Sequence, residues 1–428
     1  MLAIWKNMCY NAITMLTADQ ENAKNLIVEW YFNTDNQVFV LSGYAGTGKT
    51  FLIDYVVKNE LHLEAGVEAV FVSPTGKAAA NLVRRGTVAG TIHGLIYRRE
   101  EDFEVDENGE IIELGNQIRF VRKEEIDKKI RLIIIDEASM INELVLYDLL
   151  SFGVKCLFCG DSAQLPPVEG TCPLLEYAHY NMEQIVRQAE DNPIIQVATM
   201  ARMGEYIPYG IYGEKVCVIS KNALSASERQ RLFLSADQII CGRNSTRTAL
   251  NKEIRRYKGI SEQELLPQEG EKVICTLNDW EKPLDEEKRL HLVNGIIGTA
   301  HDVKMQHDDL ATMNFYVDFI DNSVPAPFDI GIFVRDRYTH RYGFRAVTLA
   351  DGAVVAEDNF AAFRKQRSVS EEPVCRFEFG YAITCHKAQG SEFDFVIVFD
   401  EGWVFGEEKD RWLYTAITRA REKLLIIR

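Results

Sequence analysis

The sequence predicts an α/β protein, and three observations carry that prediction. Short apolar runs suited to buried strands recur along the chain: VFVL at 38–41, AVFV at 69–72, LIII at 132–135, CLFC at 156–159, QIIC at 238–241, FDFVIVF at 393–399 and LLII at 424–427. Segments that can continue as helices follow several of them, such as FLIDYVV at 51–57 and residues 78–85. The first four runs each give way to glycines, hydroxyls or carboxylates, and open α/β sheets bind ligands at the carboxyl ends of their strands.

The first of these junctions is the most specific. Residues 43–50 read GYAGTGKT between a strand and a helix, which is the setting a phosphate-binding loop requires. The glycines let the backbone wrap closely round a polyphosphate with its N–H groups inward, and the helix beginning near Gly48 adds its positive dipole end. Gly46, Thr47, Gly48, Lys49 and Thr50 become the candidate nucleotide ligands. Lys49 would reach the β- and γ-phosphates, and the Thr50 hydroxyl would hold Mg²⁺.

Composition bounds the rest. The 428 residues are 46% hydrophobic and 26% charged, a globular balance for about two to four domains of ~100–200 residues. A net charge of −16 excludes a protein that coats nucleic acid by bulk charge, but not a groove lined locally by Arg and Lys. The nine scattered cysteines read as reduced thiols of a cytoplasmic protein. Cys156 and Cys159 read as buried strand residues rather than zinc ligands. With no run of ~18 apolar residues, no membrane partner is expected, and residues 1–10 lack the apolar core of a signal peptide.

Taken in order, Thr17 is placed to cap a helix, with Gln20 completing a capping box. Ser73-Pro74-Thr75-Gly76-Lys77 ends the second strand, and Thr91-Ile92-His93-Gly94 follows; His93 alone reads as a structural histidine. From 98 to 125 the chain turns acidic, and DENG at 106–109 between short alternating runs signals a β-hairpin insertion. RLIIIDEASM at 131–140 delivers two carboxylates to a strand end. Asp136 suits a water-mediated hold on Mg²⁺, and Glu137 suits a general base for the attacking water. In GDSAQLPP at 160–167, Gln164 could sense the γ-phosphate or that water. Residues 299–375 read as β-rich, and arginines alternate with aromatics over 335–345. A strand-binding surface and solvated hairpin arginines both fit that stretch.

GYAGTGKT, SPTGKAA, TIHGLI, IIIDEASM and GDSAQLPPV, in this order and spacing, resemble motifs I, Ia, Ib, II and III of superfamily 1 helicases. The resemblance is to the Dda/RecD-like group B, whose members move 5′ to 3′ on single-stranded DNA. LTADQENA resembles that family's Q motif, which implies an adenine contact for Gln20 beside its capping role. EQIVRQ at 183–188 resembles motif IV and makes Arg187 a candidate arginine finger. FGYAITCHKAQGSE at 379–392 resembles motif V; it implies DNA contacts at Thr384, His386 and Lys387 and nucleotide contacts at Gly390 and Glu392. LYTAITRAR at 413–421 resembles motif VI, whose arginine finger is here Arg419. Pro74, Thr75, Thr91 and His93 become the strand contacts of the first half. Gly76 departs from the pattern, which has a histidine there, and the acidic hairpin lacks an obvious apolar tip beyond Phe103.

The resemblance implies two RecA-like P-loop domains with ATP and Mg²⁺ in the cleft between them. The first would span 1–187, interrupted by the hairpin at 98–125. The second would comprise 188–298 and 376–428, with an SH3-like β-rich insertion at 299–375. The implied activity is ATP-driven 5′-to-3′ translocation on single-stranded DNA with unwinding of duplex or fork DNA. The protein would act as a monomer in replication, recombination or repair in a phage or bacterial cytoplasm, with a single-strand-binding or replisome protein as a further partner. Three other readings stay open: a translocase that does not unwind, a nucleotide-gated DNA-binding or loading protein, and a recombination-complex subunit of RecD type.

Overall fold

The computed structural model of the protein describes residues 16–101, 104–105, 111–112, 118–166, 173–186, 190–284, 290–307, 310–317, 323–330, 333, 344–348, 354–358 and 375–428. The first half opens on α1 (Ala18–Asn33). The Thr17 hydroxyl accepts the Gln20 N–H and the Gln20 side chain accepts the Thr17 N–H, so the capping box is present. There follow β1 (Val38–Gly43), α2 (Lys49–Tyr55), β2 (Ala69–Ser73), α3 (Gly76–Arg84), β3 (Ala89–Thr91), α4 (Ile92–Ile96), β4 (Leu132–Ile135), α5 (Glu143–Leu150), β5 (Lys155–Gly160) and β6 (Tyr180–Met182).

These strands form one parallel sheet in the order β6-β1-β5-β4-β2-β3. Helices cover both faces, so its strands are continuous apolar runs rather than alternating ones. The two-residue period still shows in β4. Leu132 and Ile134 enter one core with Ile27 and Leu52, while Ile133 and Ile135 enter the other with Ile92 and Phe158.

The second half builds a matching sheet. Its elements are α6 (Pro193–Arg202), β7 (Gly210–Tyr212), β8 (Val216–Ile219), α7 (Ala226–Ser235), β9 (Gln238–Cys241) and α8 (Asn244–Tyr257). After an excursion through β10 (Glu271–Cys275), β11 (Ile297–His307), β12 (Leu310–Tyr316), β13 (Ser323–Asp329) and β14 (Phe377–Phe379), the chain returns. It adds β15 (Ala382–Thr384), α9 (Cys385–Ala388), β16 (Phe393–Phe399), α10 (Lys409–Ile417) and β17 (Ala420–Ile427). The sheet order is β7-β8-β17-β16-β9-β15, parallel except for the edge strand β7.

The excursion is an antiparallel sheet, β13-β12-β11-β10-β14, around a core of Phe315, Phe328 and Phe377. This moves one expectation. Glu271–Cys275 lies within the span 188–298 assigned to the second parallel unit, but β10 pairs antiparallel with β11 and β14. A short apolar strand reads the same in either kind of sheet until its partners are known.

In the first half, Tyr97–Glu101 pairs antiparallel with Ile118–Arg122, and Glu104–Val105 with Ile111–Ile112. The expected turn at 106–109, Phe103 and the arginine-rich residues 335–343 lie outside the described residues. No helix among the described residues is long and apolar enough to cross a membrane.

Candidate active site

The phosphate-loop residues sit between β1 and α2. Gly46 and Gly48 have φ of 83° and 78°, a left-handed backbone that suits glycine. Lys49 Nζ donates to the carbonyls of Gly43 (2.5 Å) and Tyr44 (3.1 Å). The fully buried Thr47 donates its hydroxyl to Tyr44 O at 2.8 Å. Gln20 lies behind the loop, with its Nε2 donating to Thr47 O at 3.1 Å. A Cβ on Gly48 would come within 2.6 Å of that nitrogen. Gln20 therefore braces the loop as well as capping α1, and both ends of its amide are engaged.

Opposite the loop, β4 ends in Asp136 and Glu137. Glu137 has φ 54° and ψ 43°, a left-handed conformation uncommon for a residue with a side chain. Burial raises both carboxyls above the ordinary range, Glu137 to about 7. For Glu137 the Arg419 and Lys49 charges oppose the rise, while Asp136 and Asp161 add to it. The loop after β5 brings in Gln164, which is buried; its Oε1 has no partner among the described residues. A cleft of about 470 Å³ is lined by Lys49, Asp136, Glu137, Gln164, Gly390 and Arg419, among others. Thr50 lines it too. A hydroxyl and adjacent carboxylates form a hard oxygen set that fits Mg²⁺, which takes its other ligands from water and phosphate. Among the described residues no three His, Cys, Asp or Glu groups cluster into a protein-only metal cage.

Arg419 is 4% exposed. It folds back onto its own half, donating to Thr415 O, Ser391 O and Thr418 Oγ1 at 3.1 to 3.3 Å. Arg187 lies outside the described residues. Gly390 and Glu392 do reach the cleft, where both also touch α3 and its end. Gly390, at φ 67°, accepts from Asn81 Nδ2, and a Cβ there would sit 3.0 Å from Ala78 Cβ. Glu392 pairs with Arg85 at 2.6 Å.

Residues outside the expected set join the halves. The Tyr414 hydroxyl on α10 accepts the Ala45 N–H of the phosphate loop (2.8 Å) and donates to Asp161 Oδ2 (2.6 Å). Thr415 Oγ1 accepts the Leu165 N–H at 2.9 Å, and Gln389 Nε2 donates to Leu165 O at 2.7 Å. Leu165 itself packs in a core of the second sheet. Gln164 is thus bracketed by backbone held from the opposite half. The Arg202 guanidinium lies 3.6 Å from the Tyr44 ring centroid, and Lys77 Nζ donates to Lys387 O. The sequence offered no local signal for these roles, since each depends on a partner more than 150 residues away.

The expected strand contacts share a local design. Thr91 and Thr384 end strands and Thr75 lies two residues past one; each caps the next helix, their hydroxyls accepting from Gly94, Lys387 and Ala78 N–H groups respectively. Each O–H keeps its proton for a further acceptor. Pro74 precedes Thr75 and is partly exposed. His93 packs against Tyr97 and Phe120 at the root of the hairpin, and burial lowers its pKa. His386 packs against Phe405, with its pKa likewise lowered by burial. Lys387 lies 3.6 Å from Glu378, and burial pushes its ammonium down to about 8, aided by Arg247.

Residues 15–213 match the family described as an AAA domain, and residues 379–427 match the UvrD-like helicase C-terminal domain. The ATP-dependent RecD2 DNA helicase of Deinococcus radiodurans is 32% identical over 183 residues, 41% of this chain and 23% of that protein. The two family matches fall on the phosphate-loop half and on the C-terminal strands of the second sheet. A second relative, the RecBCD enzyme subunit RecD of Buchnera aphidicola, is 23% identical over 91% of this chain and 70% of its own length. The chain spans about a quarter of the RecD2 relative's length. Among solved structures, Bacteroides Pif1 bound to ssDNA aligns with TM-score 0.49 and 18% identity, over 96% of this chain and 92% of that one.

Proposed function

We propose that the protein is an ATP-driven DNA helicase that moves 5′ to 3′ along a single strand and opens duplex at a fork. The observation that carries this reading is the convergence of Lys49, Asp136, Glu137, Gln164 and Arg419, drawn from both sheets, on one cleft. Lys49 turns from the loop carbonyls to the β- and γ-phosphates. Thr50 and Asp136 would hold Mg²⁺, which would supply positive charge against the phosphates. Glu137 takes the proton of the attacking water, and Gln164 orients that water through its unpartnered oxygen. Arg419, with Arg187, meets charge on the γ-phosphoryl. The contacts across the cleft supply the differential binding that links nucleotide state to domain closure. Thr75 and Thr91 on one half and Thr384, His386 and Lys387 on the other then alternate their grip on the strand.

The domains we assign are 1–187 with the hairpin, and 188 to about 270 with 380–428, separated by the antiparallel sheet. We place the protein as a monomer in a bacterial or phage-infected cytoplasm; the free cysteines among the described residues suit a reducing compartment.

The test is ATP hydrolysis with and without single-stranded DNA at two salt concentrations. Stimulation by the strand, weakened by salt, is expected, and Lys49→Ala should abolish turnover. Rapid hydrolysis indifferent to DNA would overturn the substrate, and normal turnover in Lys49→Ala would overturn the loop assignment.

A further inference from the structure

We propose that Trp403 is a base-stacking residue for single-stranded nucleic acid at the end of a basic groove on the second half. The inference rests on the strand-binding reading above and adds a contact that no motif assigns. Trp403 is 69% exposed, an unusual place for the largest side chain. It lies in the 3-10 segment Gly402–Glu408, between β16 and α10.

That segment is firmly tied. The Glu401 carboxylate, itself 3% exposed, accepts from the Gly242 and Arg243 N–H groups at 2.9 and 3.0 Å, from Arg243 Nε and Nη2 at 2.8 and 2.6 Å, and from Thr246 Oγ1 at 2.7 Å. Phe405 stacks on Trp412 and touches the His386 ring, with centroids 5.7 and 5.6 Å apart. Trp403 therefore stands on a rigid base. Arg243 lies against the indole, 5.4 Å from its centroid, and most of the ring faces solvent.

The setting identifies the ligand. From Arg243, α8 runs directly into a cavity of about 760 Å³ lined by Asn244, Ser245, Arg247, Thr248, Lys252 and Lys387. One acid, Glu378, lines it too; it pairs with Arg247 and lies 3.6 Å from Lys387. In a chain of net charge −16, a cavity with three basic side chains and one acid is a local reversal of sign. Lys387 enters it from the same short helix as His386. A basic groove suits a phosphate backbone, and an adjacent exposed aromatic suits an unpaired base, whatever its identity. A duplex offers no unstacked base, so the partner chemistry is single-stranded. The pre-held ring loses little freedom on binding.

The experiment uses the full chain and fluorescein-labelled oligo-dT, with Trp403→Ala and Trp403→Phe matched to wild type by thermal midpoint. Trp403→Ala should weaken binding roughly five- to a hundredfold, the range of one lost base stack. Trp403→Phe should stay within about threefold of wild type, because a ring remains to stack. Oligo-dT should quench the wild type's tryptophan emission, and most of that quench should vanish in Trp403→Phe. Wild-type affinity in Trp403→Ala, or an undiminished quench in Trp403→Phe, overturns the proposal; an indole that docks on another protein would give that result. Failure of the wild type to bind oligo-dT overturns the strand-binding reading itself, so the two failures are told apart by the wild-type titration.

Discussion

Arg419 and Lys77 show how single residues are set by burial across the cleft. Arg419 donates to backbone oxygens of its own half, and among the described contacts none of its hydrogen bonds goes to the loop at 43–50. Arg419→Ala should leave ATP affinity nearly intact and slow hydrolysis by on the order of a thousandfold, as loss of an arginine finger does. Nucleotide binding measured beside single-turnover hydrolysis separates the two effects. Lys77 is buried, and its ammonium is pushed down to about 7 by burial first and by the Arg419, Lys272 and Lys387 charges next. The unfolded value is 10.5, so between about pH 7 and 10.5 the unfolded chain holds the extra proton. The Lys77 contribution to stability therefore rises with pH across that window. Lys77→Met should raise the thermal midpoint at pH 7, and its advantage over wild type should shrink towards pH 10. A constant difference across that range would contradict this account.

At the scale of elements, α10 and the loop after β5 form one working unit. Tyr414→Phe keeps the ring in its core and removes only the hydroxyl that joins Ala45 to Asp161. A hydrogen bond to a charged group contributes ~1.5–3 kcal/mol. DNA-stimulated turnover should accordingly fall by roughly tenfold or more, as steady-state hydrolysis with and without strand would report. Much of the candidate site was legible because its residues stand at fixed offsets from strand ends: Lys49 after β1, Glu137 after β4, Gln164 after β5. Tyr414, Thr415 and Gln389 were not legible as contacts. Their meaning comes from Ala45, Asp161 and Leu165, and no local spacing encodes which distant backbone a hydroxyl will meet. For the same reason Gln20 read two ways, although its cap was plain from Thr17 three residues earlier.

Across the whole molecule, the two parallel sheets were legible as repeated apolar runs; residues 270–275 also read as a strand leading towards the β-rich insertion, and only pairing with β11 and β14 shows that β10 runs antiparallel. The departure at Gly76 acquires a reason at this scale. A Cβ there would lie 2.2 Å from Val293 Cγ2, so the absent side chain lets the segment before β11 rest on the start of α3. Gly76→His should lower the thermal midpoint, by the ~1–3 kcal/mol typical of overpacking, and Val293→Gly in the same chain should recover part of it. Additive losses in the double variant would show that the two positions do not share the space.

The bracket around Leu165 has one more consequence. Both its N–H and its carbonyl are gripped from the opposite half, so Gln164 is aligned only while the halves are together. If Gln164 orients the attacking water as proposed, an open molecule would hold ATP without a trained water and would idle. Where nucleotide is plentiful and bare strand is scarce, the fuel wasted per second is then set by how often thermal motion shuts the hinge unaided, and a mutation that merely favours the shut form would turn a quiet motor into a leaky one.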